Sequence, residues 1–306
     1  MGTFHCPLGC PFYEGDGCIQ CGLCIAENKQ DMIKASETIR AYLRSQSDRT
    51  SRFKKITICG KGGVGKSTVA ALVGKVLQDE EYSVLVVDAD DSNPGLCRSL
   101  GFEREPKPLM KLLSRFGINE AESDPEWIDR DEVSIANIPP RYIIEHEGLK
   151  FTMVGKIEDP FQGCACSMAD VSRNFIEKLI LAENEVVIID AEAGVESFGR
   201  GVERSVDTVL IVIEPSFESL AVAEKIRYMA DGIGVGMVKA ILNKVPSEAV
   251  RRKMVENLAL KDIRHAGSVT IDPLIAQAGL EGSPLGESRA TEEIRTIIQR
   301  VLQEIG

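Results

Sequence analysis

The sequence predicts an α/β fold, a doubly wound and mostly parallel sheet, with a small cysteine-rich metal-binding segment at its N-terminus. Three observations predict it. Short apolar, β-branched runs alternate with helical stretches from residue 55 onward, as in a sheet whose parallel strands are joined by helices. A glycine-rich turn separates the first of these runs from the first helix. Five cysteines (Cys6, Cys10, Cys18, Cys21 and Cys24) crowd the first 24 residues, ahead of a polar stretch.

In chain order, residues 31–44 carry Met32, Ile33, Ile39 and Leu43 at helical spacing, and residues 45–52 form a polar linker. The boundary therefore falls near residue 50, with a cysteine-rich segment over 1–50 and a larger domain over 51–306. Lys55-Ile56-Thr57-Ile58-Cys59 is the first strand, and residues 69–77 are helical in character. Between them stands Gly60-Lys61-Gly62-Gly63-Val64-Gly65-Lys66-Ser67-Thr68. Gly60, Gly65, Lys66 and Ser67 satisfy the P-loop pattern G-x-x-x-x-G-K-[ST]. Such a turn aims backbone N–H groups, and the positive end of the helix, at a triphosphate. Lys66 would neutralise phosphate oxygens and the Ser67 hydroxyl would ligate Mg²⁺.

The next buried strand, 84–87, ends in Asp88-Ala89-Asp90. Two carboxylates then lie at the carboxyl edge of a parallel sheet, where open α/β folds bind ligands. A later strand, 186–189, ends in Asp190 and fits a Walker B strand whose aspartate holds the Mg²⁺ hydration shell. Further strands are expected at 151–154, 209–213 and 240–242. Residues 117–148 are acidic, contain Trp127 and Pro139-Pro140, and have weak periodicity; they read as an insertion offering a partner surface. The last helix, 290–305, reads as an ordinary packing helix.

Composition narrows the partners. Hydrophobic residues make up 43% of the 306, enough for a full core, and no apolar run reaches the roughly 18 residues a membrane span requires. Residues 1–6 lack a basic segment followed by an apolar one, so no signal peptide is expected and the chain reads as cytoplasmic. A net charge of −11 and a pI near 5.0 argue against nucleic acid as a partner.

Nine cysteines stand against three histidines. Cys59 and Cys97 are isolated and read as small buried hydrophobes. Cys18, Cys21 and Cys24 have the C-x2-C-x2-C spacing of half a bacterial ferredoxin motif. The fourth cysteine of that motif is absent, so Cys6 or Cys10 must supply the last thiolate of a four-cysteine site. Four thiolates suit a [4Fe–4S] cluster or zinc. Cys164-Ala165-Cys166 lies where a loop enters a helix ahead of Asp190. Two copies across a two-fold axis would present four thiolates to a soft or borderline metal, with pKa values lowered by the helix terminus.

Lys61, a second cation inside the loop, narrows the reading. The loop resembles that of the deviant-Walker ATPases, the MinD, ParA and nitrogenase iron protein group. In that group this lysine reaches across a dimer interface to the partner's nucleotide, which implies an ATP-bound homodimer. The resemblance puts Asp90 on the aspartate that orients the attacking water and Asp88 near the Mg²⁺ shell. Within this group, Cys164-Ala165-Cys166, residues 190–201, Val212-Ile213-Glu214-Pro215-Ser216 and Leu242-Asn243-Lys244-Val245 resemble the CooC family, the nickel-insertion accessory ATPases of carbon monoxide dehydrogenase. The resemblance covers about residues 55–305; the N-terminal cysteines lie outside it. It implies an ATP-hydrolysing dimeric metallochaperone that delivers nickel to a carbon monoxide dehydrogenase-like client. Lys61, Lys66 and Asp90 would be catalytic, and Asn243 and Lys244 would contact adenine. Two alternatives stand beside it. An iron-sulfur reductase like the nitrogenase iron protein would place a cysteine after the Walker B aspartate, and residues 191–201 contain none. A MinD-like positioning ATPase would leave the paired thiols without a role.

Overall fold

A computed structural model describes residues 13–14, 17–18, 54–90, 95–112, 127–155, 165–195, 198 and 205–304. Eight strands form the main sheet: β1 (Lys55–Gly60), β2 (Ser83–Asp88), β3 (Ile144–His146), β4 (Leu149–Met153), β5 (Glu185–Asp190), β6 (Thr208–Ile213), β7 (Met237–Val245) and β8 (Arg264–Thr270). Their order across the sheet is β8-β7-β6-β1-β5-β2-β4-β3. Every neighbouring pair is parallel except β3–β4, an antiparallel edge hairpin. The doubly wound, mostly parallel sheet read from the sequence is the observed one.

Alternation along each strand explains why helices cover both faces. In β2, Leu85 and Val87 join the core layer that holds Phe175 of α3 (Ala165–Lys178), Ile226 of α4 (Phe217–Gly232) and Leu258 of α5 (Glu248–Leu260). Val84 and Val86 join the opposite layer, with Leu72 of α1 (Lys66–Asp79) and Ile294 and Ile298 of α7 (Arg289–Gln303). A strand buried on both sides must be apolar at successive positions, and β6 is buried at every residue. Two shorter helices, α2 (Leu96–Leu100) and α6 (Pro273–Glu281), complete the α-helices whose full range is described, beside 3₁₀ turns at Leu109–Leu112 and Ile135–Asn137. None of these helices is long and apolar enough to cross a membrane.

The structure departs from the sequence reading in three places. β8 was not expected: its chain is Arg-His-Ala-Gly-Ser-Val-Thr, with little apolar signal. Gly267 is there because α7 crosses close above it; an added Cβ would stand 2.3 Å from a side-chain carbon of Ile297. The strand expected at 151–154 spans Leu149–Met153. Residues 127–148, read as part of a surface insertion, are integral to the fold. Trp127, Val133, Ile135, Ile138 and Tyr142 are buried in the layer containing Phe175, and Val133–Ser134 pairs with Leu179–Ile180. In the cysteine-rich segment, Tyr13–Glu14 pairs antiparallel with Gly17–Cys18. Cys6, Cys10, Cys21, Cys24, the helix expected at 31–44 and the linker at 45–52 lie outside the described residues.

Candidate nucleotide-binding site

The site is built on the adjacent carboxyl ends of β1, β5 and β2. Residues 61–65 turn from β1 into α1, and Lys66 is the first residue of that helix. Gly65 precedes it with φ 94°, in the left-handed region that a Cβ disfavours. A Cβ there would also stand 2.5 Å from Asn243 Nδ2. Gly60 at the other end approaches β6 so closely that a Cβ would lie 2.4 Å from the Val212 carbonyl oxygen. The loop is therefore gripped between β6 and β7.

Asn243 and Lys244, at the end of β7, supply part of that grip. The Asn243 side-chain amide donates to the Val64 carbonyl oxygen at 2.8 Å, and Lys244 Nζ donates to the Gly63 carbonyl oxygen at 2.5 Å. Lys244 holds φ 54° to do so, a conformation that is strained for a residue with a side chain. Sequence reasoning gave these two residues to the base; their role as buttresses of the loop was missed, because it depends on which strand lies beside β6.

The three carboxylates lie close together. Asp88 and Asp190 are register partners on β2 and β5, and Asp190 is also opposite Ile58 of β1. The Asp88 side chain accepts from the Asp90 N–H at 3.2 Å. Asp90 Oδ2 stands 3.7 Å from Lys66 Nζ, with both side chains 6% exposed. Asp190 is fully buried, and among the described residues neither carboxylate oxygen has a partner of hydrogen-bond geometry. Burial pushes its pKa up to about 7, opposed by the nearby Ser67 hydroxyl and Lys66 and reinforced by Asp88 and Asp90. A fully buried carboxylate beside a hydroxyl and two further carboxylates calls for a cation or its hydration shell. Asp190, Ser67 and Asp88 therefore form an oxygen donor set that fits Mg²⁺.

Lys61 lies outside this buried cluster. It is 37% exposed, and its Nζ is 3.8 Å from Glu214 Oε1. The other carboxylate oxygen of Glu214 is 3.5 Å from Lys244 Nζ. Of the thiol pair, Cys166 is the second residue of α3, and Cys164 lies outside the described residues. Among the described residues, no group of three or more His, Cys, Asp and Glu side chains is placed to hold a metal ion. Cys59 and Cys97 are buried, and neither forms a disulfide among the described residues. Burial, reinforced by Glu105 and Asp88, pushes the Cys97 pKa up to about 12, so it is inert as a nucleophile.

A glycine-rich loop at the head of a helix, flanked by three strand-end aspartates on a parallel sheet, defines a P-loop nucleotide-binding protein. Residues 55–285 match the CobQ/CobB/MinD/ParA nucleotide binding domain, and the chain belongs to this family as a P-loop ATPase. An uncharacterized ATP-binding protein of Methanocaldococcus jannaschii is 34% identical over 256 residues, 80% of this chain and 98% of that protein. The carbon monoxide dehydrogenase accessory protein CooC of Rhodospirillum rubrum is 32% identical over 262 residues, 81% of this chain and 97% of that one. Among solved structures, the septum site-determining protein MinD of Pyrococcus horikoshii, complexed with Mg-ADP, superposes with a TM-score of 0.61 at 20% identity. That match covers 83% of this chain and 97% of that one, a likeness of fold alone.

Proposed function

We propose that this ATPase is a dimeric maturation factor in which the nucleotide state gates binding and release of nickel for a carbon monoxide dehydrogenase-like client. Its 32% identity to CooC over nearly the whole of that protein supports the client class. The observation that carries the gating is the shared core layer. Phe175 of α3, the helix that begins at the thiol pair, lies in the same buried cluster as Val187 and Ile189 of β5, the strand that ends in Asp190. A packed layer transmits displacement instead of absorbing it, so a change at the phosphates is carried towards Cys164 and Cys166.

The roles of the side chains follow from their positions. Lys66, buried and paired with Asp90, exchanges that carboxylate for phosphate oxygens when ATP binds. Asp90 is thereby released to orient the attacking water. Backbone N–H groups of residues 60–68 receive the phosphates. Ser67, Asp88 and Asp190 would hold Mg²⁺, which supplies charge neutralisation on the phosphates. With the Asn243 amide nitrogen committed to Val64, its Oδ1 is left to accept from the amino group of adenine. Lys61 crosses to the nucleotide of the second subunit. Cys164 and Cys166 of two subunits together bind Ni²⁺ or Zn²⁺. Residues 1–50 form a separate metal segment in which four of Cys6, Cys10, Cys18, Cys21 and Cys24 hold a [4Fe–4S] cluster or zinc.

The ferredoxin-like spacing of Cys18, Cys21 and Cys24 favours a second reading, an ATP-driven electron donor. One experiment separates the two. In the full-length protein purified anaerobically, Cys164→Ser with Cys166→Ser should remove dimer-bound Ni²⁺ or Zn²⁺, measured by metal analysis, and leave the absorbance of an N-terminal cluster intact. If that double variant instead loses a [4Fe–4S] signal and ATP-dependent electron transfer, nickel delivery is wrong and electron donation stands.

A further inference from the structure

We infer that Glu214 is a latch that holds Lys61 on its own subunit and so sets the threshold at which the ATP-bound dimer closes. This rests on the proposal that Lys61 acts across the dimer. Glu214 follows the last residue of β6, and its backbone is fixed on both sides. Its N–H donates to the Ser219 hydroxyl at 3.2 Å. Its carbonyl accepts from the Ser216 N–H at 2.7 Å, and Ser216 is itself the N-cap of α4. Pro215 follows and restricts Glu214 to extended backbone. From this fixed backbone the carboxylate stands between Lys61 on one oxygen and Lys244 on the other.

The two lysines differ in what they could give up. Lys244 is also bonded to the Gly63 carbonyl oxygen and held by the end of β7, so it is part of the loop's frame. Lys61 is the more weakly held: its contact to Glu214 is the longer of the two. Reaching a second subunit's phosphates requires Lys61 to leave Glu214. The carboxylate therefore competes with the partner's nucleotide for a single ammonium group, and the competition occurs twice in a symmetric dimer. Glu214 touches no reacting atom; it is a positioning residue acting through Lys61.

A partly exposed ion pair of this kind is worth about two- to fivefold in an equilibrium constant. Two latches lost together should tighten the dimer by about four- to twenty-five-fold. The test is light scattering of full-length protein titrated at fixed non-hydrolysable ATP analogue, comparing wild type, Glu214→Gln, Lys61→Gln and the double variant. Glu214→Gln should dimerise at correspondingly lower protein concentration and reach maximal turnover at lower concentration. Glu214→Asp, which keeps the charge but shortens the reach, should fall between. In the Lys61→Gln background, Glu214→Gln should change nothing, because the held group is gone. ADP affinity of the monomer should stay at the wild-type value in Glu214→Gln, whereas simple relief of negative charge near the phosphates would tighten it. Unchanged dimerisation of Glu214→Gln, tightening that persists without Lys61, or tighter ADP binding would each overturn the latch. Normal ATP-dependent dimerisation of Lys61→Gln would instead overturn the proposal that Lys61 acts in trans.

Discussion

Replacing Gly65 with alanine should destabilise the protein through two separable effects. The first is conformational: at φ 94°, an L-residue costs about 1–2 kcal/mol relative to glycine. The second is steric. The new Cβ would lie 2.5 Å from Asn243 Nδ2, so the Asn243 amide must withdraw and its 2.8 Å bond to the Val64 carbonyl is lost. Both residues are buried, and leaving such a pair unmade costs about 1–3 kcal/mol. The total is about 2–5 kcal/mol. At about 2–3 kcal/mol per M in urea, the unfolding midpoint should fall by about 1–2 M. Gly63 provides the control. It too has positive φ (81°), but a Cβ there meets no described residue within 4 Å, so Gly63→Ala should carry only the conformational cost. Asn243→Ala removes the obstacle, and Gly65→Ala with Asn243→Ala should be no less stable than Gly65→Ala alone. Equilibrium urea unfolding of the four variants without nucleotide measures all of this. Strict additivity of Gly65→Ala and Asn243→Ala, or equal midpoints for Gly63→Ala and Gly65→Ala, would refute the claim that Asn243 clamps the loop.

Two further expectations concern catalysis and stability. Lys66→Ala should abolish nucleotide binding, whereas Asp90→Ala should bind ATP and hydrolyse it at least about 100-fold more slowly, as followed by phosphate release; undiminished turnover would remove Asp90 from the reaction. Asp272→Ala should cost about 1–2 kcal/mol, because one carboxylate oxygen accepts from the Leu274 N–H that opens α6 and the other from the Ala290 N–H at the start of α7, each at 2.9 Å. Burial pushes the Asp272 pKa up, but these N–H bonds outweigh it and the net shift is downward. Its stabilisation is therefore full above the ordinary carboxylate pKa and lost as the pH falls through the lowered one. The difference in urea midpoint between wild type and Asp272→Ala should shrink on acidification, and a constant difference would show that the ionised cap is not what stabilises.

The centre of the fold was legible because its strands are buried on both faces and end in functional side chains. β1 runs into glycine, and β2 and β5 run into aspartate, so each apolar stretch carried its own marker of the ligand edge. β8 had no such signal: among its seven residues the buried ones are Ala266, Gly267 and Val269, and the surface it offers α7 is defined by the missing side chain of Gly267. β3 was hidden for the opposite reason, since it is largely exposed and lies in a stretch that reads as an acidic loop. The grip of Asn243 on Val64 and the position of Glu214 between Lys61 and Lys244 depend on strand order. β6 comes late in the chain yet pairs with β1, and β7 lies next beyond β6; no local pattern states that adjacency.

Trp127 gives the molecule an optical handle on the proposed coupling between the nucleotide site and α3. It is the sole tryptophan of the chain and is buried, 6.3 Å edge-on from Phe175 of α3 and 5.9 Å from Tyr142. Its indole N–H has no hydrogen-bond acceptor among the described residues. Emission excited at the red edge of protein absorbance therefore comes from one site, set against the helix that begins at the thiol pair. The unmodified protein thus contains its own fluorophore for watching whether α3 moves when ATP or metal is added.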